Sequence, residues 1–222
     1  MDALDIIKKN AERLLSGIPT HVTLLAAAKT RTAEEVTAAY DGGIRFFGHN
    51  YVQEAQTMLA GISFNVQWHM IGHLQRNKAK DAIEIFNMIE VLDSIRLANE
   101  LEKRCAAAEK TIKVLIEINS GTEEDKSGIL PQEVDALVEA VRGLEHLRLA
   151  GLMTMGPLTG DAEQARPYFI KTRRLFERLQ DSRLPEIEMK VLSMGMSGSY
   201  RVAIEEGATM VRIGTLLFGP RT

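Results

Sequence analysis

The amino-acid sequence predicts an α/β fold: a single (β/α)8 TIM-like barrel with an extra N-terminal helix, spanning residues 1–222 as one domain. Three observations predict it. Short β-branched or apolar runs alternate with longer segments of helical period, which is the mark of βα units on a parallel sheet. Eight such runs occur, in 222 residues, close to the ~250 that a closed eight-stranded barrel usually takes. No Pro/Gly/Ser-rich linker or low-complexity tract interrupts the series. A doubly wound open sheet is the structural alternative, because sequence specifies strand number better than closure.

The chain begins with "MDALDIIKKNAERLLSG", an amphipathic stretch expected to lie outside the ring of βα units. The first strand run is "HVTLLAAA" (21–28), followed by "TAEEVTAAYDGG", where Thr32 caps a helix, Glu35 completes the capping box and Gly42 with Gly43 stops it. Next come "GIRFFG" (43–48), "NVQWHMIG" (65–72) and "FNMIEVL" (86–92). A helix carrying "EKRCAAAEK" then leads to "TIKVLIEIN" (111–119). The fifth crossover, "LPQEVDALVEAVRGL", starts with Pro131 in its first turn and ends near Gly143. The last three runs are "LRLAGLMT" (147–154), "EIEMKVLSM" (186–194) and "ATMVRIG" (208–214).

Composition narrows the function. The chain is 45% hydrophobic and 26% charged with a net charge of −3, as expected of an ordinary globular protein. A chain of this size buries a core without disulfides or a structural metal. Cys105 is the only cysteine, which suits a reducing compartment and reads most simply as a helix residue. The N-terminus lacks the apolar region and small-residue cleavage site of a signal peptide, and no apolar run approaches the ~18 residues of a membrane span. The expected location is therefore the cytoplasm, with no membrane partner. Lys and Arg are scattered singly, without the basic stripe that phosphate-backbone binding needs, so nucleic acid is not an expected partner.

In either fold the ligand sits at the carboxyl ends of the strands. The polar residues falling there are Lys29, Asn50, His69, His73, Asp93 and Asn119, joined by Met153, Ser193, Ser197, Arg212 and Thr215 from the last three units. Lys29 ends an apolar run. Desolvation there favours the neutral amine, a nucleophile for a carbonyl carbon, although a lysine at a strand end can also simply snorkel to water. The stretches "VLSMGMSGSYRVAIEEG" and "VRIGTLLFG" place small residues between a strand and a helix, where free N–H groups attract an anion. Barrels hold phosphate at these last two loops, which suits Ser193, Ser197, Gly214 and Thr215; the same residues also serve tight turns and caps. A lysine together with a phosphate site suggests a phosphorylated aldehyde or ketone held as an imine.

The segments "AAAKT", "FFGHNYVQEA", "QWHMIGHLQRNK", "EDKSGI", "LAGLMTM", "LSMGMS" and "GATMVRIGTLLFG", in order from about Leu24 to Gly219, resemble the YggS/PROSC family of pyridoxal 5'-phosphate (PLP) homeostasis proteins. The resemblance implies a barrel like the N-terminal domain of alanine racemase, with PLP as cofactor joined to Lys29 as a Schiff base. It further implies Arg212 facing the pyridine nitrogen, Ser193, Ser197, Gly214 and Thr215 on the phosphate, and Asn50, Met153 and Met194 bordering the cofactor. It implies a role in vitamin B6 homeostasis with PLP as the ligand, apo-PLP enzymes as further candidate partners and no established catalysis.

A guanidinium can only donate, so the ring nitrogen beside Arg212 stays an unprotonated acceptor and the ring a weaker electron sink. Alanine racemases also take one base from a second domain that the chain, ending at Thr222, has no residues to build. The expectation is a PLP holder and not an enzyme, with no catalytic residue; the alternative is a fold-type III PLP enzyme such as an amino-acid racemase. A monomer is expected, a dimer being the other arrangement. Departures from the family pattern are His49 where a carboxylate is common, His73 where proline is common and Ser199 where aspartate usually follows; the first bears on the charge of the pocket rim. His69 and His73 share the spacing of two ligands on a helix, but the strand-like "VQWHMIG" argues for a turn, and no metal site is expected. Lys126 in "EEDKSGI" resembles, loosely, the racemase loop that brings a cation to the cofactor, or is a solvated charge.

Overall fold

The structure, a computed structural model, describes residues 2–123, 127–157, 161–182, 184 and 187–220. Eight parallel strands close into a barrel in sequence order: β1 (Thr23–Ala27), β2 (Phe46–His49), β3 (Gln67–Met70), β4 (Met88–Leu92), β5 (Ile112–Ile118), β6 (Leu147–Thr154), β7 (Val191–Ser193) and β8 (Met210–Ile213), the last pairing with the first. Seven of the strands fall inside the runs read from the sequence, and β2 extends one residue past its run, to His49. The run at 186–194 shortens most: the Lys190 N–H turns back on the Glu188 carbonyl at 2.8 Å, so regular pairing begins only at Val191.

The crossovers are α2 (Ala33–Asp41), α3 (Val52–Ala60), α4 (Ala79–Ile85), α5 (Ile95–Ala107), α6 (Val134–Arg142), α7 (Arg166–Asp181) and α8 (Tyr200–Glu205), with α9 (Thr215–Phe218) after β8. The N-terminal α1 (Ala3–Gly17) packs outside the ring on α2 and α9, and Asn10 Nδ2 donates to the Leu217 carbonyl at 3.1 Å. The capping box expected at Thr32 is present: Thr32 Oγ1 accepts the Glu35 N–H at 3.3 Å and Glu35 Oε2 accepts the Thr32 N–H at 2.9 Å. Such a cap contributes about 1 kcal/mol. Between α7 and α8, Arg166 and Arg173 each donate at 2.7 Å to one oxygen of Glu206, fastening the helix that follows the seventh strand.

Side chains outside the strands fill the space between barrel and helices, while Leu25, Ile71 and Met210 form a smaller apolar cluster with Ala27, Phe46 and Val191. A Cβ added at Gly48 would lie 2.6 Å from Leu25 Cδ2, so that cluster and Gly48 share the barrel's inner face. Cys105 is fully buried in α5, and burial pushes its thiol up to about 11, so it packs as a small hydrophobe. No helix among the described residues is long and apolar enough to cross a membrane.

His49, the departure that bears on the charge of the pocket rim, turns out to lie away from the barrel's inner face. Strand alternation puts Gly48 inward and His49 outward, where its ring lies 5.2 Å from Trp68 and Nδ1 is 3.8 Å from Glu54 Oε2 on α3. The side chain is 1% exposed, and neither ring nitrogen has a hydrogen-bond partner among the described residues. Burial lowers its pKa to about 4, so the ring is neutral. The folded value lies below the unfolded 6.5, so stability is full above pH 6.5 and falls as pH drops toward 4, by about 3 kcal/mol across that window. Urea unfolding at pH 7 and pH 5 should show about 2 kcal/mol of this loss, and His49→Gln should flatten it.

Candidate functional site

At the mouth of the barrel, β1 ends at Ala27, and the Ala28 N–H still donates to the Gly48 carbonyl at 2.9 Å. Lys29 follows, half-buried. The next residue, Thr30, has φ 62, a left-handed conformation that costs a β-branched residue roughly 1–3 kcal/mol. The turn is held shut from both sides: the Arg31 N–H donates to the Ala28 carbonyl at 3.1 Å, and the Arg31 guanidinium donates to Glu35 Oε1 at 3.1 Å and to the Gly219 carbonyl at 2.8 Å. The strained turn therefore fixes the course of the main chain immediately after Lys29.

The neighbouring strand supplies the anion-type turn. An added Cβ at Gly214 would lie 3.7 Å from the Ala27 carbonyl, so the turn after β8 sits beside the end of β1 and next to Lys29. Ser197 Oγ reaches across from the loop after β7 and accepts the N–H groups of Gly214 at 3.2 Å and Leu216 at 3.3 Å. Two backbone donors thus converge on one oxygen. Gly195 makes the loop possible: its φ is 87, and its carbonyl accepts the Arg212 N–H at 3.0 Å. Thr215 is exposed at the start of α9, and Ser197, Ser199 and Leu216 line a cleft of about 580 Å³ beside it.

Below the mouth lies a polar network that crosses the barrel. Arg212 Nη1 donates to Ser193 Oγ at 2.7 Å, Ser193 donates to Glu90 Oε2 at 2.6 Å, and His69 Nδ1 lies 2.6 Å from Glu90 Oε1. Arg212 Nη2 donates to the Thr154 carbonyl at 2.9 Å. Because β4 and β7 are not neighbours, the Glu90–Ser193 bond can run only through the interior. All four side chains are buried. Burial opposes the charge on Glu90, but the hydrogen bond and charge of His69, then Arg212 and Ser193, outweigh it and hold the carboxyl below its usual range. For Arg212, burial lowers the pKa while Glu90 and Glu117 act against that loss.

The remaining candidates divide by face. Met153 pairs in register with Ser193 and with Glu117, so all three share the inner face. Met194, one residue past Ser193, alternates to the other side and is fully buried. Asn50 shares the parity of Gly48 and is half-buried at the mouth; an added Cβ at Gly72 would lie 2.6 Å from its Cα, so a glycine there lets the two loops touch. The structure thus brings Ser193 to Arg212 and Ser197 to Gly214. It places the Ser193 hydroxyl in the Arg212–Glu90 network and away from the Ser197 turn. His69 and His73 separate: His69 is interior, whereas His73 is 58% exposed with Nδ1 3.3 Å from Asp93 Oδ2. Among the described residues no group of three or more His, Cys, Asp or Glu side chains is placed to hold a metal ion. Lys126 lies outside the described residues. Glu90 and Glu117 were not singled out from the sequence, although an acid inside "MIEVL" or "VLIEI" is itself a signal, since a strand covered on both faces buries an acid only with a partner or a purpose.

A closed parallel barrel with a half-buried lysine after its first strand, a converging N–H turn after its last, and a buried arginine between them defines an α/β-barrel protein with a built polar interior. The chain belongs to the pyridoxal phosphate homeostasis proteins, within the alanine racemase N-terminal domain family, whose model matches residues 3–222. It is 41% identical over 219 residues to the pyridoxal phosphate homeostasis protein of Aquifex aeolicus, covering 98% of this chain and 95% of that protein. To the Escherichia coli protein of the same name it is 39% identical over 210 residues, covering 91% and 87%. Among solved structures, PipY of Synechococcus elongatus with PLP bound is 33% identical with a TM-score of 0.88, covering 96% of this chain and all of that one. An alanine racemase of Clostridium difficile shares the fold, with a TM-score of 0.83 at 15% identity, this chain covering 57% of it.

Proposed function

We propose that this chain, acting as one domain, holds pyridoxal 5'-phosphate at the barrel mouth and serves vitamin B6 homeostasis in the cytoplasm as a carrier without turnover of its own. The observation that carries the reading is the adjacency, at the ends of β1 and β8, of the half-buried Lys29 amine and the turn where two N–H groups converge on Ser197 Oγ. The donor set fits the cofactor. The Gly214 and Leu216 N–H groups with the Ser197 and Thr215 hydroxyls suit a phosphate, a buried guanidinium suits a ring acceptor, and Met153 supplies an apolar wall.

When bound, PLP supplies an aldehyde that an amine can capture and a ring able to draw electrons from an attached amine. Lys29 carries the cofactor covalently. Arg212, kept protonated beside Glu90, can only donate, so an acceptor facing it stays unprotonated and the pull of the ring stays weak. Ser193 and Glu90 aim that guanidinium. Ser197, Gly214 and Thr215 hold the phosphate, and Asn50 and Met153 border the site, while the Met194 side chain turns away from it. The curated relatives' name, homeostasis protein, agrees with a holding role. Apo-PLP enzymes are the natural recipients, and the chain works as a monomer.

Titration with PLP should load one equivalent, and pyridoxal without the phosphate should bind far more weakly. Ser197→Ala removes a charge-assisted hydrogen bond contributing roughly 1.5–3 kcal/mol, so affinity for PLP should fall about 10- to 100-fold while affinity for pyridoxal hardly changes. Equal loss for both ligands would move the phosphate elsewhere. PLP-loaded protein incubated with L-alanine should form no more D-alanine or pyridoxamine phosphate than free PLP does.

A further inference from the structure

Glu117 takes no part in the contacts described so far, yet it is buried at 5% exposure on the inner face of β5, level with Met153 and Ser193. Its Oε2 is buried and has no hydrogen-bond partner among the described residues. A buried carboxyl oxygen left unpaired inside a barrel is costly unless a ligand completes it. Two strands, β6 and β7, separate Glu117 on β5 from Arg212 on β8, and the two groups interact electrostatically across the interior, so the carboxyl faces the same space as the guanidinium.

We propose that Glu117 is a further ligand-contacting residue, a protonated carboxyl that donates a hydrogen bond to an acceptor atom of the bound aromatic aldehyde phosphate. The inference rests on the holding function proposed above. Burial, the largest influence, pushes the Glu117 carboxyl up to about 7; Arg212 pulls it down and Asp93 pushes it up. The charged and titratable groups around it are Arg212 on β8, Glu90 with His69 from β4 and β3, and Asp93 after β4, itself paired with His73. Near neutrality the barrel then meets the ligand with two donors of different charge, a cation on the β8 side and a neutral acid on the β5 side. A carboxylate would instead turn lone pairs toward the acceptor and repel it.

The test measures the PLP dissociation constant by absorbance from pH 6 to pH 9 for wild type, Glu117→Gln and Glu117→Ala, with thermal unfolding as a check on folding. Above pH 7 the free wild-type protein loses the proton that binding requires, which weakens binding by up to about tenfold per pH unit, whereas the glutamine amide donates at every pH. Wild type and Glu117→Gln should therefore agree within about threefold at pH 6, and wild type should fall at least about tenfold behind by pH 9. Glu117→Ala should bind weakly throughout. A ratio of wild type to Glu117→Gln that stays flat across the range overturns this inference alone. If wild type takes up no PLP at any pH, the holding function falls and this inference with it. Difference infrared spectra of wild type at pH 6 provide a readout without substitution: added PLP should shift the stretch of a protonated carboxyl, and an unshifted band overturns the proposal.

Discussion

Replacing Lys29 with alanine is expected to abolish covalent retention of PLP. Among the described residues, Lys29 is the lysine whose strand end adjoins the Ser197–Gly214 turn, and the left-handed Thr30 sets the main chain directly after it. Without it, the phosphate and ring contacts remain, so the variant should still bind PLP weakly and reversibly, losing it on dialysis where wild type keeps it. Borohydride should leave no label on the variant. Thermal unfolding of the variant beside wild type separates loss of the amine from loss of the fold. A variant that holds PLP through dialysis as well as wild type would mean that another amine forms the link.

Glu90→Ala is expected to be the most destabilising single change in the barrel interior. Glu90 is fully buried, bridges His69 to Ser193 and, through it, faces Arg212. Removing it leaves the guanidinium in the core without that counter-charge, a situation that costs roughly 3–5 kcal/mol. At about 2–4 °C per kcal/mol for a chain of this size, the melting temperature should fall by some ~6–20 °C. Glu90→Gln keeps the shape and some hydrogen bonding and should lose less. A melting temperature within about a degree of wild type for Glu90→Ala would show that water already screens the network. PLP binding should also weaken in both variants, since Arg212 loses the group that aims it.

The barrel was legible in the sequence because its signals are local. Apolar runs of strand length, the Thr32–Glu35 capping box and the Pro131 start each announce themselves within a few residues, and each run locates one strand, β2 alone overrunning its run by a residue. Lys29 and Arg212 were legible for the same reason, as charges at the end of or inside such runs. The polar network was not, because its partners are 21, 103 and 19 residues apart and meet only through closure. His49 shows the limit of analogy. The motif "FGHN" pointed to the rim, but alternation along β2 turns its imidazole toward α3 while Gly48 and Asn50 keep the inner parity. Ser193 was placed with the phosphate residues because it ends a strand before a glycine turn. Its inward parity instead commits its hydroxyl to Arg212 and Glu90.

The central claim is that this barrel carries PLP on the amine at the end of its first strand. The most direct measurement loads wild-type protein with one equivalent of PLP, reduces it with borohydride and maps the modified peptide by mass spectrometry. The reduced cofactor should appear on Lys29, in near-stoichiometric amount. A label on Lys126 or spread over surface lysines, with Lys29 unmodified, would contradict the account.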